Sequence, residues 1–333
     1  MPSSAVRRFD DPWEHQAFFR AADMKLLVTS AGDYRSELTR IDLHRLWMQR
    51  NGTILPHIAH LAVNNDRSPI FFLADMQQAP IVRYGVEFSP GMVAVSHPGA
   101  ESHTRIATAS RWVTMSLTPD DLGGAARALT GRELKAPRAT SMIRPPRHLM
   151  ARLMHLHAAA GHLAATAPDT LAQDEVARAM EQELVRTMIR CLTEGTAIAK
   201  DSIGRIAVMK RFERALAEMA GRPIYVAEIC AAIGVAERTL RMHCLEHLGI
   251  SPHRYLWLRR MHQVRRALTL ADAAATSVTM IATDHGFWEL GRFAVAYRKL
   301  FGESPSITLR GAPDGRLAVT GSGVSVARLP ILP

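Results

Sequence analysis

Two short clusters near the C-terminal end combine basic, acidic, hydroxyl and indole side chains at a spacing that one helix face can present. The first is Glu237, Arg238, Thr239 and Arg241; the second is Trp288, Glu289 and Arg292, with Arg298 and Lys299 following. Arginine can pair bidentately with guanine in the major groove, and glutamate can accept from the cytosine amino group or orient an arginine. Hydroxyl and ammonium groups mainly fix a protein against phosphate. The chemistry in view is recognition of duplex DNA, with Arg298 and Lys299 nearer the phosphate backbone. Any one of these arginines is equally compatible with a phosphate contact or a solvated surface, so weight falls on their arrangement.

A second group that could do chemistry is histidine-rich. His57 and His60 lie close together, and His97 and His103 follow on another strand-loop segment. A cupin-type metal centre needs two histidines and a carboxylate converging from separate strands, and no such spacing is visible. The expectation is no metal, no cofactor and no catalytic residue. Cys191, Cys230 and Cys244 sit in helix-like contexts without metal-ligand spacing and read as small buried apolar residues.

The DNA-reading clusters are held by a repeated cycle. In each copy a helix of about eight residues reaches a glycine, Gly234 or Gly286, followed by an apolar residue, Val235 or Phe287, and then a second helix. Such a corner needs apolar residues behind both helices. The first copy supplies Val226, Ile229, Cys230, Val235, Leu240 and Cys244, and the second Val278, Ile281, Ala282, Phe287, Phe293 and Tyr297. Ser251-Pro252 opens a longer helix through about Leu268 that joins the units, since proline suits a first helical turn. That helix carries Arg259, Arg260, Arg265 and Arg266, available to phosphate or to acidic neighbours. A further helix over 205–219 precedes the first cycle.

Residues 226–310 resemble the DNA-binding domain of the AraC/XylS family of bacterial transcription regulators. The resemblance is carried by VAEICAAIGVAERTL, GISPHRYLWLRRMHQVRRAL and VTMIATDHGFWELGRFAVAYRKLFGESP. It implies one seven-helix domain beginning with 205–219, whose two recognition helices enter adjacent major grooves on one face of DNA. The first recognition helix departs from the family pattern, with Met242 where an outward arginine is usual and Cys244 where a core phenylalanine is common.

Ahead of this domain, residues 22–116 alternate short apolar runs (MKLLVTS, PIFFLADM, GMVAVSH) with Gly, Pro, Asn and Asp, the pattern of a compact β-barrel or sandwich. Two amphipathic helices follow. Their stripes are Leu149, Leu153, Leu156, Ala160 and Leu163, then Ala172, Val176, Met180, Leu184, Met188, Cys191 and Leu192. The stripes suit either packing within the chain or pairing with a second copy. Trp47, Phe71, Phe72, Tyr84 and Phe88 are equally suited to lining an effector pocket or to plain core, and Arg83, Arg105 and Arg111 could meet an acidic effector. The family resemblance implies a cupin-like barrel with a helical dimerisation element here. The expected fold is thus α+β: an N-terminal arm (1–21), a cupin-like regulatory and dimerisation domain (22–199), an all-α DNA-binding domain with two helix-turn-helix units (200–310) and a flexible tail (311–333).

With 333 residues, 47% hydrophobic and 22% charged, the chain has the composition of a globular protein of more than one core. No run approaches a membrane span and no apolar signal core opens the chain, so a cytoplasmic location is expected. The net charge of +10 is unevenly spread: Lys+Arg outnumber Asp+Glu by 27 to 23 over residues 1–220 and by 12 to 7 over 221–310. These features together predict a sequence-specific transcription regulator and not an enzyme, an activator by resemblance, controlled by a small effector or by dimerisation. Its expected partners are double-stranded DNA, a second copy as homodimer, RNA polymerase if it activates, and a small-molecule effector, with no membrane. Two alternatives are a metal-dependent cupin enzyme fused to a DNA-binding domain and a weakly specific architectural DNA-binding protein.

Overall fold

A computed structural model describes residues 2–131, 134, 139–198, 203–220 and 222–311. The tail expected to be flexible lies outside the described residues beyond Gly311.

The N-terminal half begins with β1 (Ser3–Phe9), α1 (Pro12–Phe18), β2 (Ala22–Val28), β3 (Ser36–Asp42), β4 (Trp47–Thr53), β5 (His57–Val63) and β6 (Ser68–Leu73). It continues with β7 (Ile81–Arg83), β8 (Val86–Phe88), β9 (Val93–Val95), β10 (Glu101–Ile106), β11 (Ser110–Leu117), α2 (Pro119–Thr130) and β12 (Ser141–Arg144). Helices α3 (Arg147–Thr166), α4 (Pro168–Ala172) and α5 (Asp174–Glu194) and strand β13 (Thr196–Ile198) complete it. The strands form two antiparallel sheets, in the orders β1-β3-β4-β11-β6-β9-β12-β13 and β2-β5-β10-β7-β8.

Side-chain alternation assigns each face of the larger sheet. On β6, Ile70 and Phe72 join Val113 and Met115 of β11 against α2, α3 and α5, while Phe71 and Leu73 turn the other way. There they meet Met24, Leu61, Ile81 and Ile106 of the smaller sheet, with Trp112. The result is three layers, small sheet on large sheet on helices. Each fully buried Leu, Ile or Phe in these cores contributes roughly 1.5–3 kcal/mol.

Two expectations change here, and one open alternative is decided. Among the described residues the cupin-like barrel is not closed: both sheets have free ends. Alternating hydrophobicity marks which face of a strand is buried and says nothing about whether the last strand pairs with the first. Within the segment expected to be an arm (1–21), residues 3–9 do not lie apart, since β1 pairs with β3 from Ser3↔Asp42 to Phe9↔Ser36. That edge strand is exposed along most of its length, so it carries no alternation to read. The helical stripes are largely spent inside the chain. Leu149, Leu153, Ala160, Leu184, Met188 and Cys191 are buried in the core beneath the large sheet. Glu181 of α5 is buried with them and accepts from the backbone N–H groups of Arg45 (2.7 Å) and Leu46 (3.1 Å), which ties α5 to the β3–β4 turn.

The C-terminal half is helical: α6 (Ile203–Glu218), α7 (Val226–Ile233), α8 (Glu237–Leu248), α9 (Pro252–Leu270), α10 (Val278–Asp284), α11 (Leu290–Phe301) and α12 (Pro305–Arg310). It rests on the smaller sheet. His262 of α9 bonds the Val28 carbonyl at 3.1 Å, the Arg266 guanidinium stacks on Trp13, and Arg265 lies 3.8 Å from Asp11. At the end of α8, Gly249 lies under Arg105 of β10, and His247 abuts Gly85 so closely that a Cβ there would stand 2.9 Å from its Nε2. Among the described residues, no helix is long and apolar enough to cross a membrane.

Candidate nucleic-acid interface

The first helix-turn-helix is α7 and α8. Gly234 turns the corner at φ 67° and ψ 40°, the left-handed region that glycine enters without a Cβ penalty. Val226, Ile229, Leu240 and Cys244 are buried behind it, with Cys230 and Val235 packed against them. The second unit is α10 and α11, with Gly286 at φ 77°. Its core is Ile281, Ala282, Phe287, Phe293 and Tyr297, with Val278 alongside. Phe287, Phe293, Tyr297 and Phe301 form a ring ladder with centroids 4.9, 5.6 and 4.6 Å apart. Tyr297 closes it by bonding Thr308 Oγ1 at 2.9 Å, and Thr308 donates to Glu303.

Helix α9 holds the units together. It opens with Ser251 capping the Arg254 N–H and Pro252 in the first turn. Tyr255 and Leu256 enter the first unit's core; Leu258, Met261, Val264 and Leu268 enter the second's. Four of its five arginines are engaged with other elements of the protein, the fifth, Arg254, lying over Trp257 of the same helix. Arg259 lies 3.5 Å from Glu213, Arg260 covers Phe287, Arg265 lies 3.4 Å from Glu303, and Arg266 lies on Trp13. Acidic neighbours and aromatic faces take all four, with Arg266 remaining exposed where it lies on Trp13.

With the cores filled, the residues expected to meet DNA fall outside. Glu237, Arg238 and Arg241 are exposed at the start of α8, and Thr239 is half-buried. Trp288, Glu289, Arg292, Arg298 and Lys299 are exposed in the second unit. Trp288 and Glu289 precede α11, which begins at Leu290 with Glu289 as its N-cap residue. The role of an acid that orients an arginine falls to Glu289, whose carboxylate binds Arg292 at 2.6 Å. Glu237 instead lies 3.9 Å from His253. Neither α8 nor α11 has a side-chain cap at its N-terminus, so the first-turn N–H groups remain available to a phosphate.

Three residues of these faces lie outside the sequence-based set. Met242 is 55% exposed and Leu245 47% exposed on α8, and Val295 is 72% exposed one turn beyond Arg292. Apolar groups on a reading face suit the thymine methyl. Helical spacing from Arg238 (i+4, i+7) and from Arg292 (i+3) was the available signal. Met242 therefore does occupy an outward position, and Cys244 the inward one.

This arrangement defines a double helix-turn-helix domain. Residues 229–311 match the helix-turn-helix domain family, and this segment belongs to the AraC/XylS family of regulators. The chain is 42% identical over 94 residues to the probable thc operon regulatory protein of Rhodococcus erythropolis, a match covering 28% of each chain. It is 46% identical over 65 residues to the XylDLEGF operon transcriptional activator of Pseudomonas putida, covering 20% of each. Both relatives are named for operon regulation and neither for catalysis. The matches thus span less than a third of these relatives' length. The AraC-like transcriptional activator CuxR aligns with 80% of this chain and 96% of its own at 14% identity and a TM-score of 0.43, too low to assign the N-terminal fold.

Proposed function

We propose that the chain is a sequence-specific DNA-binding transcription regulator, an activator, that reads adjacent major grooves with α8 and α11. One observation carries this reading: two helix-turn-helix units expose basic faces while a single helix contributes to both of their cores. Glu237, Arg238, Thr239 and Arg241 in the first unit, and Trp288, Glu289 and Arg292 in the second, are its base-reading set, with Arg298 and Lys299 on phosphate.

The N-terminal sandwich, a cupin-like fold left open, is the regulatory part of this proposal. Support for an acidic small effector comes from Arg83, buried between the sheets and stacked on Phe71 at 4.4 Å. Its hydrogen bond is to Thr104 at 2.8 Å, and no carboxylate pairs with it among the described residues. A homodimer and RNA polymerase are the protein partners, and the cytoplasm the compartment. Because the stripes of α3 and α5 are packed against the large sheet, a second copy would meet a different face.

Selection of bound sequences from a random duplex pool, followed by genome-wide mapping of occupied sites, tests the reading. A recoverable two-part consensus upstream of genes supports it. Binding without a consensus would favour the architectural alternative.

A further inference from the structure

The smaller sheet brings together two histidines that are distant in sequence. In the antiparallel pairing of β5 with β10, His60 stands directly opposite His103, and their rings are 4.9 Å apart. Residues two apart on a strand share a face, so Glu101 accompanies His103, and its Oε2 lies 3.7 Å from His60 Nε2. His57 falls on the opposite face by the same parity. Helix α6 of the DNA-binding domain lays Glu213 over this face, with Oε1 2.9 Å from His103 Nε2. One ligand atom from each of His60, His103 and Glu213 lies within 4.8 Å of the other two, and all three residues are buried.

Two buried atoms of this group lack hydrogen-bond partners among the described residues, His60 Nε2 and Glu213 Oε2. Buried polar atoms are nearly always satisfied, and here the nearest charged groups stand beyond good bonding distance, Glu101 at 3.7 Å from His60 Nε2 and Arg259 at 3.5 Å from Glu213 Oε2. Beside them is a cavity of about 10 Å³ lined by His60, Glu101, His103, Lys210 and His247, room for a single small species.

We infer that His60, His103 and Glu213, with Glu101 as fourth ligand, form a divalent transition-metal site of the zinc class that clamps the DNA-binding domain to the regulatory sandwich. Two imidazoles and two carboxylates give an N2O2 set whose charge balances a dication. Ligand atoms around a tetrahedral zinc stand about 3.4 Å apart, so closing His60, His103 and Glu213 requires side-chain shifts of roughly an ångström, and Glu101, 3.7 Å from His60, must swing further to join them. Outer contacts that orient such ligands are in place: Tyr255 donates to Glu213 Oε1 at 2.7 Å, Arg259 flanks Oε2 at 3.5 Å, and Lys210 lies 3.6 Å from Glu101.

The test uses the untagged full-length chain, equilibrated with zinc or cobalt(II) and freed of excess by gel filtration. The expected result is one equivalent of retained metal, an X-ray absorption signature of two imidazoles with oxygen ligands, and loss of retention in His60→Gln and His103→Gln. His243→Gln is the control, because His243, Glu246 and His247 form a second candidate cluster on α8; it should leave retention unchanged. No retained equivalent in the wild type overturns the proposal, as does retention that survives His60→Gln or is lost in His243→Gln. Should the His60 variant fail to fold, the absorption signature of the wild type decides, and fewer than two imidazoles per metal overturns the site.

Discussion

Replacing Arg292 by Ala separates base reading from simple attraction to DNA. The side chain is 85% exposed and its pairing partner Glu289 66% exposed, at the rim of the second unit. Ion pairs in such surroundings contribute little, and surface substitutions of this kind change stability by no more than about 0.5 kcal/mol. The variant should therefore fold and melt like the wild type. On the selected duplex, losing one good bidentate base contact costs about 1–3 kcal/mol, or about 5- to 150-fold in Kd. The assay is fluorescence anisotropy at fixed salt with the selected site and a panel of its single-base variants. Arg292→Ala should abolish discrimination at one position and leave the others intact. A uniform loss across the panel, with a shallower dependence of log affinity on log salt, would show a phosphate contact and refute base reading.

Other perturbations address the frame and the pH response. Gly234→Ala meets no neighbour within 4 Å, so its cost is backbone alone, about 1–2 kcal/mol for a left-handed residue; urea unfolding that shows no loss would contradict the corner geometry. Tyr297→Phe removes the bond to Thr308 from a fully buried ring and should cost about 0.5–1.5 kcal/mol in the same measurement. Burial lowers the His15 and His262 pKa values from 6.5 to about 4, with His57 adding to the effect at His15. Both rings are neutral in folded and unfolded chains above pH 6.5. Below it the unfolded chain takes up protons first, so stability falls from about pH 6.5 until the folded rings titrate near pH 4. Each contributes a loss of roughly 2 kcal/mol at pH 5. Unfolding free energies equal at pH 7 and pH 5 would refute it.

The DNA-binding half was legible because its cores are local. Gly234, Val235, Gly286 and Phe287 mark corners between helices adjacent in sequence, and a period of 3.6 separates Leu240 and Cys244 from Arg238 and Arg241. The helix start at Leu290 was less legible, since FWELGRF reads as helix throughout and only the backbone places Trp288 and Glu289 ahead of it. What the sequence could not convey is partner choice between strands. The alternation in β5 puts His60 and His57 on opposite faces without naming β10 as the neighbour. Nor does an amphipathic pattern show that Glu213, in a charged stretch of α6, is 2% exposed beneath another domain. The same gap explains the barrel expectation, because closure depends on pairings between ends of the chain segment, which leave no local trace.

Helix α9 also sets the grammar of the DNA site. Its 19 residues form a strut about 28 Å long with both ends embedded in packed cores, so one reader cannot turn without dismantling a wall of the other. Adding a single base pair between the two contacted stretches rotates the second groove by about 35° around the duplex axis. A flexible tether would absorb that change; a strut cannot. On the proposed reading the site is therefore one long word of fixed length, in which a perfect pair of halves at the wrong separation should bind no better than a single half.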